Sequence, residues 1–443
     1  VFLIRQSKPD DASTLHKLAR MVFFINLPPD EQIIKGKIEH SVRCFKRVAN
    51  SPPGESTHPV KKPRKHSAGG WANIEEESDL FMFSIEDPQT RSIVGTCQVR
   101  AHQGGPGNPN WSLRVSEKKF HSPQLGFGTT HAVGQLYADE TGPTELGGLI
   151  IQPSFRGHQL RPGRFLSFIR FHFIGLHRAL FADRIIAEMA PPVTSDGDNA
   201  FWDHFGRKFI PVRYSEADRF CQHNRRFISE LFPKDEIFLT LFPLEILNMV
   251  GVVARETIPA RRLLESLGFR YRGFVDPFDA APHIDAFTDD IALVKQSFLG
   301  VLGKPIALDK CTSHAMVSTL DSEGDFRAIE TPCTIERLEI GAQGGSIVRL
   351  PQSSIDILGG VTGVRIGSRV GATPLDPPDP VAIPEPTAAA LAMNRTTTRP
   401  SARPVARPAK PKPAPRKPAP PRPAPPRPAP PRPAPPRPAK VRS

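Results

Sequence analysis

Between Thr144 and Phe173 an apolar run stops at a basic, glycine-containing loop and resumes as a largely apolar helix carrying Arg164 and Arg170. A strand that passes through a loop straight into a helix commits this part of the chain to layered packing, because each element must bury an apolar face against a neighbouring layer. Backbone N–H groups at such a helix start, together with Arg156, Arg161 and Arg164, suit a pyrophosphate. The stretch therefore predicts a phosphate-bearing cofactor, with an ordinary strand–loop–helix crossover and solvent-facing arginines as the other reading. The loop matches neither the G-x-G-x-x-G dinucleotide pattern nor the phosphate loop that ends in Gly-Lys-Ser/Thr.

Charge separates the chain into body and tail. Arg399 to Ser443 holds 13 lysines and arginines and no acid, which leaves 45 basic against 45 acidic residues in Val1 to Thr398. The net charge of +13 belongs to the tail, so it gives no reason to expect that the body binds nucleic acid. Cys44, Cys97, Cys221, Cys311 and Cys333 are odd in number and lack metal-ligand spacing, which reads as reduced thiols in a cytoplasmic protein. No apolar run approaches the roughly 20 residues of a membrane span, and the N-terminus lacks a signal-peptide pattern.

Along the chain, Val1 to Arg5 predicts a strand, Asp10 or Asp11 a cap for a helix through Met21, and Glu31 to Phe45 a second helix. Ser51 to Gly70, with Lys61-Lys62-Pro63-Arg64-Lys65, reads as a polar surface insertion. Leu80 to Ile85 and Ile93 to Val99 predict a hairpin turning near Asp87-Pro88. Leu146 to Ile151 is a central strand, Gly163 to Leu180 a helix, and Arg184 to Glu188 a further strand. Asp198 or Asn199 starts a short helix, and Ser215 and Asn224 are candidate caps. Thr257 to Leu267 is a helix with Pro259 in its first turn and Gly268 at its end. Phe269 to Val275 and Ile291 to Val294 are read as strands. From Leu299 to Val370 short β-rich runs follow, including Ala315 to Leu320, Ile347 to Leu350 and Val364 to Ile366. The expected fold class is α/β (α+β): a mixed sheet with flanking helices, a small C-terminal β-rich region and a disordered Pro/Arg-rich tail. The expected divisions are 1–298, 299–372, a linker at 373–398 and the tail at 399–443.

Arg-Pro-Ala-Pro-Pro recurs at Arg422, Arg427 and Arg432. Three prolines in five residues forbid a helix or a central strand and leave an extended, polyproline-like segment with exposed charge. Nonspecific nucleic acid or another polyanion is its expected partner, with a spacer role as the alternative. No aromatics interleave with the arginines to stack on bases.

Several segments in order carry a family resemblance. They are Leu27-Pro28-Pro29-Asp30-Glu31; Asp139-Glu140-Thr141-Gly142 with Glu145-Leu146; Pro162-Gly163-Arg164 leading to Ser167 and Arg170-Phe171; Ala187-Glu188-Met189; and Phe201-Trp202 with Gly206 and Phe209. Gly268-Phe269-Arg270-Tyr271-Arg272-Gly273, continued by Val275-Asp276 and Phe278-Asp279, is the most specific. Over roughly Val1 to Ala372 the chain resembles the arginine N-succinyltransferase family, a branch related to the Gcn5-type N-acyltransferases. The resemblance implies an acyl-CoA N-acyltransferase fold in which the amine of arginine, or of a similar amino acid, attacks the thioester of succinyl-CoA. It places the acyl-CoA contact on Leu149 and the phosphate-facing loop at Arg156, Arg161, Gly163 and Arg164; the neighbouring Ile150 and Ile151 are apolar enough to line the cofactor arm with it. For the three apolar residues, filling the core is the competing role.

Acyl transfer needs the attacking ammonium to lose a proton and the thioester carbonyl to be polarised. The family places a proton-donating histidine in Gly-Gln-Val-His-Pro, where this chain reads Gly251-Val252-Val253-Ala254-Arg255. Alanine has no titratable group. Glu188, Glu256, Glu145 and Tyr271 are the replacement candidates, each with a structural role as its alternative. An acyl-CoA-binding protein or scaffold that has lost transfer, tethered by its basic tail, is the competing function. His121, His131, His158 and His204 have no zinc spacing, and no metal is expected.

Overall fold

The computed structural model describes residues 1–21, 27–51, 78–87, 89–194, 197–221, 226–338, 345–359 and 363–375. The polar insertion around Lys61, the Asn224 cap and the tail from Arg399 lie outside the described residues. The described residues form fifteen strands: β1 Leu3–Gln6, β2 Leu80–Glu86, β3 Ile93–Arg100, β4 Asn110–Ser122, β5 Phe127–Asp139, β6 Thr144–Ile151, β7 Arg184–Glu188, β8 Ile237–Phe238, β9 Arg270–Val275, β10 Pro282–Phe287, β11 Phe298–Leu302, β12 Ser313–Leu320, β13 Phe326–Leu338, β14 Gly345–Arg349 and β15 Arg369–Pro374. The helices that pack on β2, β3 and β6 are α1 Ala12–Ala19, α2 Glu31–Ala49 and α3 Pro162–Leu176.

One mixed sheet runs β1-β2-β3-β6-β7-β10-β9-β4-β5-β8, and β6 and β7 are its parallel pair. β1 also pairs with β13, which joins this sheet to β11–β15. Those five strands close on themselves, because β12 pairs with both β13 and β15. The architecture is thus mixed α/β with flanking helices and a closed five-stranded sheet.

Both faces of the central strands are covered, which explains their near-continuous apolar runs. Alternate residues of β2 enter different cores: Phe81, Phe83 and Ile85 join the cluster with α3, while Leu80 and Met82 pack with Leu15 and Leu18 of α1. The expected β2–β3 hairpin is present, and Asp30 caps α2 by accepting the Gln32 and Ile33 amides at 3.0 and 3.1 Å.

Other expectations change. Asp11 stands at the start of α1 but does not cap it; its carboxylate takes Arg5 at 2.7 and 2.8 Å and the Lys8 amide of the preceding 3-10 turn at 2.8 Å, since a buried guanidinium needs a counter-charge. Ser215 lies inside the helix Tyr214–Cys221 and does not cap it. Ile291 to Val294 is not a strand: a short helix, Ala292–Gln296, buries Leu293 and Val294, and the neighbouring strand is β10. Val364 to Ile366 is likewise outside any strand; β15 begins at Arg369, where β11 offers a partner edge. The 13-residue strands β4 and β5 form a long hairpin whose outer half is exposed.

Candidate functional site

β6 and β7 stay paired only through Thr144↔Ile185, Glu145↔Ile186 and Leu146↔Ala187. β6 continues to Ile151, so beyond Leu146 the two strands part into a fork. A bulge produces the parting: against β3 the register jumps between Gln98↔Gly147 and Thr96↔Ile150, and Gly148 has φ +58°. Gly148 also permits close approach, since a Cβ there would lie 3.3 Å from Gln98 Cγ. An unpaired inner strand edge needs hydrogen-bond partners from elsewhere. A pantetheine arm with amide groups has the right chemistry.

Leu149 and Ile151 are half-buried beside the main core, whereas Ile150 is buried with the α1 cluster and fills core. The loop after β6 leads through a 3-10 turn at Pro153–Phe155 to Arg156 and Arg161, both exposed, and then to Pro162 at the first position of α3. Pro162 lacks an N–H, and the Arg164 and Phe165 amides close on the Arg161 carbonyl. An anion arriving here would meet the Gly163 amide and the side chains of Arg156 and Arg161. Arg164 is otherwise engaged: it pairs with Glu330 at 3.3 Å and its guanidinium carbon lies 4.8 Å over the Phe168 ring.

At the mouth of the fork the side chains of β7 divide. Ile185 and Ala187 enter the α3 core, so Glu188 emerges on the opposite face. There Glu188 Oε1 accepts from Asn110 Nδ2 at 3.1 Å. The turn between β9 and β10 brings two more acids. Asp276 Oδ1 accepts the Phe278 amide at 2.7 Å, and Asp279 accepts the Ala281 amide at 2.8 Å and the Tyr214 hydroxyl at 3.0 Å. Trp202 stacks on Phe278 at 4.9 Å and holds that turn against the helices Ala200–His204 and Tyr214–Cys221. His283 of β10 lies opposite Glu188 in the ladder. It lines a cavity of about 220 Å³ together with Asn110, Tyr137, Asp139, Arg184 and Arg272.

Burial, reinforced by the neighbouring Asp279 charge, pushes the Asp276 carboxyl up to about 8, and burial pushes Asp279 up to about 7. Such acids hold protons in the folded state that the unfolded chain has already shed. Their stabilising contribution is complete below the unfolded value of 3.8 and is lost as pH rises through 7 and 8. Buried His172 and His177, lowered by burial to about 3 and 4, act in the other direction and only as pH falls below 6.5. The melting temperature is therefore expected to fall from pH 6.5 to 8.5, and Asp276→Asn is expected to flatten the fall. A level wild-type curve across that window would contradict the burial of these acids.

Of the four residues proposed from sequence for acid–base work, Glu188 alone belongs to this cluster. Glu145 is buried on β6 opposite Arg100, whose Nε stands 3.7 Å away. Glu256 is exposed in the 3-10 turn Arg255–Thr257. Tyr271 is half-buried beside Gly251, and burial raises its hydroxyl to about 12, too high to exchange a proton readily near neutrality. Asn110, Asp276, Asp279 and His283 were not picked out as site residues by sequence reasoning. The two acids stood in the most specific family segment; Asn110 and His283 had no local signal. Glu188, Asp276 and His283 each present one atom, all within 4.8 Å of one another, a set that would also suit a divalent cation. The expectation of no metal therefore has a specific alternative.

The chain thus brings together a strand fork, a basic loop at a helix start and a cluster of acids at the end of β7. A family model described as arginine N-succinyltransferase beta subunit matches residues 58–293. The chain belongs to the arginine N-succinyltransferase family. At that level it is an acyl-CoA-dependent transferase acting on an amine substrate. It is 28% identical over 302 residues to the arginine N-succinyltransferases of Shigella dysenteriae serotype 1 and Escherichia coli K12 strain DH10B, an overlap of 68% of this chain and 80% of each relative. The arginine/ornithine succinyltransferase subunit AI of Pseudomonas aeruginosa shares the fold, with TM-score 0.63, 22% identity, and coverage of 84% of this chain and 98% of that one. Among the described residues no helix is long and apolar enough to cross a membrane.

Proposed function

We propose that the protein transfers a succinyl group from succinyl-CoA to the amine of arginine or a related amino acid. The observation that carries this reading is the position of the fork. Its open edge begins at Leu146 and Ala187, between the basic start of α3 and the acids around Glu188. A CoA pyrophosphate at Arg156, Arg161 and Gly163 would let the pantetheine run along β6 past Leu149 toward the acidic pocket. Glu188, with the unpartnered His283 Nε2 beside it, favours an acceptor that arrives as a cation. Holding two reactants together contributes to rate by itself, since a bound pair replaces a bimolecular encounter.

Ala254 favours a second reading, an acyl-CoA-binding protein without transfer. Its amide bonds the Ala190 carbonyl at 2.9 Å, two residues beyond Glu188, so the position is near the fork but has no proton to exchange. The two readings separate in one assay: the full chain with succinyl-CoA and arginine, then with a panel of acyl-CoAs and amines, following thiol release. Transfer is expected. Binding of acyl-CoA without thiol release across the panel would favour the second reading, and absence of any acyl-CoA binding would sink both.

A further inference from the structure

His283 is 8% exposed, and its Nε2 stands 3.9 Å from Glu188 Oε1 and 4.0 Å from Asp276 Oδ2 with no hydrogen-bond partner. A buried polar atom left without a bond is costly, and native proteins seldom leave one without a reason. Its neighbours are already oriented. Asn110 holds Glu188, and the Phe278 amide holds Asp276 by its other oxygen, which leaves Asp276 Oδ2 facing the ring. His283 Nε2 and Asp276 Oδ2 thus face each other across a gap, with Glu188 Oε1, already accepting from Asn110, on its third side. A primary ammonium carries three N–H donors and one positive charge; it suits the unpartnered His283 Nε2 beside Glu188, and its arrival favours the ionised form of Asp276 over the protonated form that burial holds in the free protein.

The backbone relates this space to the position of the missing side chain. The Met189 amide bonds the Pro282 carbonyl of β10, and the carbonyl of the next residue, Ala190, accepts the Ala254 amide. His283, opposite Glu188 in the ladder, and Ala254, bonded to Ala190, therefore both lie at the same end of β7. We propose that His283, between Glu188 and Asp276, receives the ammonium of a cationic primary-amine acceptor and takes its proton, in place of the side chain absent at Ala254. This rests on the acyltransferase reading above.

The step balances as follows in atoms and charge. R–NH3+ gives one proton to His283 Nε2, and the freed nitrogen lone pair forms the C–N bond to the thioester carbon. The C–S bond breaks with its electron pair on sulfur, and the thiolate takes the second proton shed by nitrogen. One proton per turnover leaves through His283 to solvent. The titratable groups facing the ring are Glu188 from β7 and Asp276 from the β9–β10 turn, the latter held protonated near neutrality by burial. Arg184 of β7, Asp139 of β5, Arg272 of β9 and Asp285 of β10 line the same cavity. Arg184 is paired with Asp139 and Asp285, and Arg272 with Asp285, so the cations there are balanced by acids other than Glu188 and Asp276.

The test uses the full chain with the acyl-CoA and amine that support transfer. His283→Gln is expected to lower kcat about 100-fold or more, with a much smaller change in the KM for the amine, and to remove one ionisation from the pH profile of kcat/KM. Adding Ala254→His to that variant is expected to recover about tenfold or more. If His283→Gln does not fold, His283→Asn carries the same expectation. Unchanged kcat and pH profile in a folded variant overturn the proposal. If the wild-type chain transfers nothing, the proposed function fails on its own account, and His283 is read by binding. Arginine titrated into protein carrying 15N-histidine should then shift the His283 Nε2 signal, and an unmoved signal at saturation overturns the assignment. Activity lost on chelation and restored by Zn2+ also overturns it, because the same three atoms would then be metal ligands.

Discussion

Replacing Phe173 with alanine is expected to destabilise the protein by about 3–5 kcal/mol, the usual cost of emptying a fully buried ring site. Phe173, on α3, is completely buried, with ring centroids of Phe81 at 4.6 Å, Phe45 at 5.3 Å, and Phe83 and Phe326 each at 5.6 Å. These partners come from α2, β2 and β13. One truncation therefore removes contacts from three elements, including the strand that joins the mixed sheet to the closed one. Rings held on separate elements cannot all move inward to fill the gap, so the cavity term stays large. Urea unfolding should show the midpoint falling with little change in slope. Phe120→Ala, on the exposed half of β4, is the matched control, with an expected effect within about 0.5 kcal/mol. A loss of similar size at both positions would mean that the ring cluster is not the centre of the core.

The second large effect has opposite signs in stability and binding. Arg161 adopts φ +46°, ψ +53° immediately before α3, a left-handed conformation that costs a residue with a Cβ about 1–2 kcal/mol. Glycine would relieve that strain, yet an exposed arginine stands there. Strain retained at such a position points to a role for the side chain. Arg161→Gly is expected to stabilise the fold by about 1 kcal/mol. It is also expected to weaken CoA binding about 10- to 100-fold, the equivalent of one charge-assisted hydrogen bond of about 1.5–3 kcal/mol. Calorimetry on CoA with the melting temperature of the same sample reads both. Unchanged affinity in a stabilised variant would remove Arg161 from the phosphate contact.

Much of the local structure could be read in advance because its signals are local. The β2–β3 hairpin had apolar runs around a turn, α2 had Asp30 before it, and the run from β6 into α3 switched period within a few residues. β4 and β5 escaped because their outer halves face solvent and carry Lys118, Lys119 and His121 where an apolar alternation would have marked a strand. β10 escaped for a related reason, since Asp285 interrupts its apolar pattern while pairing with Arg184 and Arg272 across strands. Closure of β11–β15 depends on β12 finding both β13 and β15, and no window of sequence contains that choice.

The acidic pocket divides in the same way. Glu188 was a candidate because it ends a strand in a segment shared with the family, and Arg156 and Arg161 were candidates because they precede a helix. The chemistry missing at Ala254 was equally plain, because an alanine has no proton to give in any fold. What could not be read is that residues 110, 188, 276 and 283 meet. Their meeting depends on the register of β7 with β10, the curl that carries the start of β4 back to β7, and a turn pinned by Trp202 on Phe278. Periodicity reports which side of its own element a residue takes. Cross-strand register, set by the burial of many residues at once, decides what stands opposite it. Order along the chain accounted for the strand, the basic loop and the absent histidine, while tertiary pairing alone put His283 between two carboxylates.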